Sequence, residues 1–230
     1  MTPRVVSIQT GRSRCFNAES DVSKQWSSAI IKDPVDGAVV VGTTGLQGDE
    51  QSDLVHHGGS DKAVLAYALS HYAYWNARYP ELAFQPGGFG ENLTVSGMDE
   101  SDCCVGDIFE TGSCLFEVSQ PRQPCWKLSR RWEIPSLAQE VQDERRTGWY
   151  LRVLQSGEIR AGELLTLCQR PNPEFTIARA LATMYAKPRS SIDDLQLAKL
   201  PQLSEAWKQN LISHTTQNSR IKDAERLTGH

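Results

Sequence analysis

Short β-branched runs cut by glycine turns fill the first 170 residues, and they restrict what this chain can fold into. Arg4–Gln9 and Ala38–Val41 are such runs, the second bounded by Gly37 and Gly42. Lys62–Leu69 follows a Gly-Gly turn, and Asn92–Val95, Asp107–Glu110 and Cys114–Ser119 read as further strands. Thr111–Ser113 makes a hairpin turn between the last two. In Trp149–Leu154, Trp149, Leu151 and Val153 face one way and Tyr150, Arg152 and Leu154 the other. A turn at Gln155–Gly157 precedes another predicted strand, Glu163–Cys168. Many short strands of this kind favour a closed or nearly closed β-barrel. Two helical inserts are predicted within it. One starts at Ser70, puts Tyr72, Trp75 and Tyr79 on one face and stops at Pro80; the other spans roughly Ser136–Arg146, after Pro135.

The character changes at Pro171-Asn172-Pro173. Beyond it, Ile177, Leu181, Met184 and Tyr185 fall at helical spacing, then Ile192, Leu195 and Leu200, then Leu203, Trp207 and Leu211. Lys187-Pro188-Arg189-Ser190 and Leu200-Pro201 break this series into three short helices. The expected fold is therefore mainly β: a barrel domain over residues 1–170 with helical inserts, and a small all-α three-helix domain over 171–230. The last dozen residues are polar and expected to fray.

Charge narrows the function classes. Residues 1–170 carry 16 Lys/Arg against 22 Asp/Glu, and residues 171–230 carry 8 against 6. Neither part has the basic footprint of a nucleic-acid binder, so an anionic ligand must be held by a local cluster of donors. No apolar run approaches the ~20 residues that cross a bilayer. The opening residues lack the apolar stretch of a secretory signal, so the expected location is cytoplasmic. Among the six cysteines no pair has CxxC spacing, which excludes the common zinc and dithiol motifs and suits reduced thiols.

Three segments are written too oddly for scaffold alone. GLQGDEQSDLVHHGGSDKAV, residues 45–64, sets Asp49, Asp53, His56, His57, Asp61 and Lys62 among glycines that permit close backbone approach to a ligand. A tight turn with solvated charges is the plainer alternative. GGFGENL, residues 87–93, ends in Glu91 and Asn92 at the mouth of a strand, where an amide can orient a polar ligand; an ordinary glycine turn explains it equally. SQPRQPCWKLSRRW, residues 119–132, places Cys125 between Pro124 and Trp126, with Arg122 and Lys127 close by. Cations near a thiol favour the thiolate, which is both nucleophile and soft-metal ligand. A stiff loop presenting one thiolate suits a metal site, and a buried inert cysteine suits the same residues as well.

Taken in order, GL-x-GD-x-Q, HGG-x-DKAV, GENLTV-x-G, VGDIF-x-x-G, S-QPR-x-PC-x-KL and GWY-x-RV-x-x-x-G resemble the MOSC family. These are domains similar to the C-terminal part of molybdenum-cofactor sulfurases. Within the family the match looks like the YiiM type, which appends a three-helix domain, and it covers about residues 5–215. The resemblance implies a MOSC-type barrel and a molybdenum–molybdopterin cofactor (Moco) with Cys125 as protein ligand to the metal. It places Lys62, Asn92, Arg122 and Arg152 near the cofactor pocket and makes His57 the histidine of HGG, with His56 beside it.

The implied activity is reduction of small N-hydroxylated compounds such as N-hydroxylaminopurines. In that chemistry His57 is the natural proton donor, because imidazole titrates near neutrality, and Asp61 or Glu91 could orient it or relay protons. Glu91 and Lys127 join the expected cofactor-binding set. Neither a Rossmann fingerprint nor an iron–sulfur cysteine set is present, so electrons must come from a separate donor. Neither nucleic acid nor membrane is an expected partner, and a homodimer is left open. Three other readings compete: a cofactor or sulfur carrier without turnover, a Cys125–His57 hydrolase, and a DNA-binding helix-turn-helix in 171–215. The hydrolase lacks a motif for its third group, and the helices lack clustered cations.

Overall fold

The computed structural model describes residues 2–18, 21–52, 58–215 and 223–229. The strands are β1 (Arg4–Thr10), β2 (Arg14–Ala18), β3 (Asp21–Ser28), β4 (Asp33–Pro34), β5 (Ala38–Gly42), β6 (Gly45–Leu46) and β7 (Val64–Ala68). They continue as β8 (Leu93–Ser96), β9 (Ile108–Thr111), β10 (Cys114–Pro121), β11 (Trp149–Gln155), β12 (Gly157–Arg160) and β13 (Thr166–Gln169). Eight of them form one sheet in the order β13-β9-β10-β11-β7-β8-β1-β4, and β12-β5-β6 form a second. Residues 162–165 bond back to β1, through Val5 N–H to the Glu163 carbonyl at 2.9 Å and Leu165 N–H to the Pro3 carbonyl at 2.9 Å. The large sheet thus curls towards closure, as the many short strands predict.

Alternation does the positioning. In β11, Trp149, Leu151 and Val153 are buried while Leu154 is exposed, so the strand seats one face in the core. β7 is buried on both faces, lying between β11 and β8, and its pairing with β8 is the single parallel one among the described residues. A parallel pair needs a crossover. Here it is made by α1 (Ser70–Arg78) and the glycine segment 87–93. Ser70 starts this helix as expected, but as its first residue and without a side-chain cap.

Two apolar cores result. The main one fills the barrel and continues into the C-terminal helices, joining Val5, Val41, Phe116 and Trp149 to Ile177, Leu181 and Trp207. The second is aromatic. It packs Tyr67, Tyr72, Trp75, Phe84 and Phe89 beneath α2 (Trp126–Trp132) and α3 (Leu137–Asp143), with the Tyr67 and Phe89 rings stacked at 4.7 Å.

Beyond residue 171 the three expected helices are α4 (Ile177–Met184), α5 (Ser191–Ala198) and α6 (Glu205–Thr215). Thr176 and Ser190 cap the first two by accepting the N–H groups of Arg179 and Asp193. Besides α2, three features depart from the sequence reading. The β2–β3 hairpin was not foreseen; it is held by Phe16 stacked on Trp26 at 4.3 Å. Residues 157–169 form two strands, β12 and β13, instead of one. The polar tail contains a fourth helix, α7 (Asp223–Thr228), which docks on α2 and buries Leu227. Among the described residues, no helix is long and apolar enough to cross a membrane.

Candidate functional site

The SQPRQPCWKL segment leaves the barrel where β10 ends at Pro121. Arg122 is then fixed by its N–H, which donates to the Gly148 carbonyl at 3.0 Å. Cys125, extended at φ −129° and ψ 165°, is the residue from which α2 begins, and its carbonyl accepts the Leu128 N–H. The stiff loop expected to present Cys125 thus spans residues 122–125, between β10 and α2, a helix the sequence reading did not include. Cys125 lines an open cleft together with Lys32, Asp49, Lys62, Asn92, Arg122 and Lys127.

The cleft is rich in donors. Arg122 is 6% exposed, and its Nη1 has no hydrogen-bond partner among the described residues. A buried guanidinium N–H without an acceptor is costly, which marks a place suited to an anion. Lys62 closes a short 3₁₀ turn, Ser60–Lys62, entered through Gly59 at φ 93°, which is a conformation that favours glycine. Lys127 stands one residue into α2, near the Trp126 ring.

Asp49 organises the opposite wall. It accepts the Gly11 N–H at 2.8 Å, the Asn92 Nδ2 at 2.8 Å and the Lys32 ammonium. Asn92 also accepts the Leu65 N–H at 3.1 Å and so ties β7 to this wall. Its amide is committed to these internal bonds while the residue lines the cleft. Lys32 is buried against Asp49. Burial pushes its ammonium down from the ordinary lysine value, with Asp49 pulling the other way. Lys32 has no signature in the sequence beyond being a lone cation after Ile30-Ile31.

Other expected site residues lie elsewhere. Asp61 accepts two bonds from the Arg152 guanidinium, at 2.9 and 2.6 Å, and Arg152 also pairs with Glu117 and reaches the Gln202 carbonyl. Asp61 and Arg152 thus meet each other and are not part of the cleft lining. Glu91 is fully buried and accepts the Gly87 N–H at 2.8 Å, the Phe89 N–H at 3.1 Å, the Thr94 hydroxyl at 2.9 Å and the Tyr72 hydroxyl. It is the anchor of the glycine segment. His56, His57 and Asp53 lie outside the described residues.

Sequence reasoning also missed what braces the Cys125 turn from outside. Arg226 of α7 donates to the Pro124 carbonyl and to Gln142. Trp126 meets Trp26 of the β2–β3 hairpin edge-on at 5.6 Å. Chain segments far apart in sequence therefore converge on one residue pair, Pro124 and Trp126.

Residues 53–166 match the MOSC domain family. YiiM of Escherichia coli is 38% identical over 186 residues, covering 80% of this chain and 83% of that protein. Its crystal structure superposes with a TM-score of 0.80, covering 99% of this chain and 98% of that one. The crystal structure of YiiM from Geobacillus stearothermophilus gives a TM-score of 0.78 at 34% identity, over 93% of this chain and 99% of that one. A protein of Gibberella moniliformis named "Reductase" is 37% identical over 164 residues, which is 70% of this chain but 29% of that protein. With these matches running along nearly the whole chain, and the curled barrel and Cys125 cleft in place, the chain belongs to the MOSC family and is of the YiiM type.

Proposed function

We propose that this chain binds a molybdenum–pterin cofactor in the cleft, with Cys125 as protein ligand to the metal, and reduces small N-hydroxylated molecules. The observation that carries the reading is that Cys125 and Arg122 line one cleft, and that the buried Nη1 of Arg122 has no hydrogen-bond partner among the described residues. A soft metal takes a thiolate, and an anionic pterin phosphate takes a guanidinium. Lys62 and Lys127 add cations to the lining, while the Asp49 carboxylate is already engaged by Lys32, Asn92 and Gly11. The donor set fits the group. Family membership supports the cofactor, and the relative named "Reductase" supports the reaction class.

When bound, the cofactor would supply the two-electron chemistry. The chain supplies the rest. Arg122, Lys62 and Lys127 would hold the anionic part. Asp61 and Arg152 would act from behind, fixing the turn that presents Lys62, and Glu91 would act by holding the glycine segment beneath Asn92. His57 would deliver a proton to the substrate. The electrons would come from a separate donor.

The test is production in a host that makes the cofactor, followed by molybdenum analysis and assay with dithionite and an N-hydroxylated purine or hydroxylamine. Stoichiometric molybdenum and formation of the amine are expected. His57→Ala should then lower kcat far more than molybdenum content. A metal-free protein overturns the cofactor assignment. A loaded protein that reduces no N-hydroxylated compound overturns the reductase assignment and leaves a cofactor carrier.

A further inference from the structure

We propose that Lys32, steered by Asp49, donates a proton to the oxygen that leaves the substrate as water. The proposal rests on the reductase reading of the same cleft.

Its basis is geometric. Lys32 directly precedes β4, whose pairing with β1 sets Asp33 against Thr10 and Pro34 against Gln9, so its backbone is pinned. Its side chain is 7% exposed and lines the cleft that Cys125 lines. Asp49, with donors from Gly11 and Asn92 as well, is fixed in place and is the single acceptor for the Lys32 ammonium among the described residues. An ammonium has three donors, and among the described residues one of them is engaged, by Asp49.

A purely structural role explains this poorly. Burying an ion pair costs both partners their hydration and is weak support for a fold. The placement makes sense if the cation has work in the cleft. Asp49, Glu91 and Arg131 act on Lys32 directly, and Glu50, Lys62 and Arg122 face it from the lining. Burial is the largest of these influences and pushes the ammonium below the ordinary lysine value. A lysine shifted in this direction is a better acid near neutrality.

The reaction balances as R–NHOH + 2e⁻ + 2H⁺ → R–NH₂ + H₂O. The N–O bond breaks, and the electrons come from a separate reductant, dithionite in the assay. The Lys32 proton goes to the leaving oxygen, the second proton goes to nitrogen, and solvent reprotonates Lys32 after water departs.

Two readouts test this. In cofactor-free protein with isotope-labelled lysines, one ammonium signal should titrate below the ordinary value of about 10.4 and vanish in Lys32→Arg. In loaded protein, Lys32→Arg and Lys32→Gln should keep their molybdenum and lose about 10²–10⁴-fold in kcat. The wild-type decline of kcat with rising pH should be absent from both variants. A Lys32 signal in the ordinary range overturns the proposal. So does a Lys32→Arg variant with wild-type turnover and pH profile, which would make Lys32 a fixed charge. If loaded wild-type protein reduces nothing, the reductase reading fails first and the proposal falls with it.

Discussion

The Arg122 N–H donates to the Gly148 carbonyl at 3.0 Å, which ties the cleft's buried cation to the residue just before β11. Gly148 is held from its other side too, because its N–H donates to Glu100 at 2.7 Å. Its φ is +76°, and a Cβ added there would lie 2.3 Å from the Ala66 carbonyl oxygen. Gly148→Ala should therefore destabilise the fold by about 1–3 kcal/mol or more, since backbone strain and a clash with backbone combine. Chemical denaturation measures the loss, and Arg122 should be displaced with it, lowering cofactor retention in the folded fraction.

Cys125→Ser should remove bound molybdenum while leaving the melting temperature of the cofactor-free protein nearly unchanged. A hard hydroxyl replaces a soft thiolate at the cleft. Cys168→Ala, at an exposed position, should change neither quantity, and Cys103→Ala should cost stability alone because Cys103 is fully buried. Full metal content in Cys125→Ser would contradict the ligand assignment.

Arg122→Met should separate stability from function. Removing a buried cation whose Nη1 has no partner among the described residues should stabilise the cofactor-free protein by about 1–3 kcal/mol. The same change should weaken cofactor retention, and the deficit should depend little on salt, because a buried charge is poorly screened. Unfolding curves and molybdenum content after dialysis at two ionic strengths read out both effects.

Stability should fall as pH rises above about 9. Burial raises the Cys103 thiol, helped by Asp107, and raises the Tyr67 and Tyr72 hydroxyls, helped by Glu100 and Glu91 respectively. Each group stays neutral in the fold at a pH where the unfolded chain releases its proton. The contribution is complete below the unfolded values, near 8.5 for a thiol and 10 for a phenol, and is lost progressively above them. Melting temperatures between pH 7 and pH 11 should trace this decline, with Cys103→Ala removing its earliest part.

Much of the barrel is legible from local pattern, because alternation such as that of Trp149–Leu154 follows directly from burying one face of a strand. The missed elements carry little such pattern. β2 and β3 are mostly polar and pair beside a ring stacking, Phe16 on Trp26, that spacing does not reveal. α2 is seven residues long and α7 six, and neither length supports a periodic signal. The docking of α7 depends on Arg226 finding the Pro124 carbonyl, a contact between residues 102 positions apart. The site divides in the same way. Cys125, Arg122, Lys62, Asn92 and Lys127 stand in motifs and share the cleft, whereas Glu91 and Asp61 stand in motifs but spend their carboxylates on internal partners. Lys32 stands in no motif and reaches the cleft only through its tertiary bond to Asp49.

The pairing of β1 with β8 bears on how the chain is made. Gln9 and Thr94, which bond across that pair, are 85 residues apart. At about 5–20 residues per second, the N-terminal strand leaves the ribosome several seconds before its partner exists. Through that interval Val5 and Ile8 have no sheet to enter, and the strand offers an unpaired edge to any neighbouring chain. Yield in a cell should therefore be more sensitive to expression rate and to chaperone supply than the stability of the finished barrel suggests.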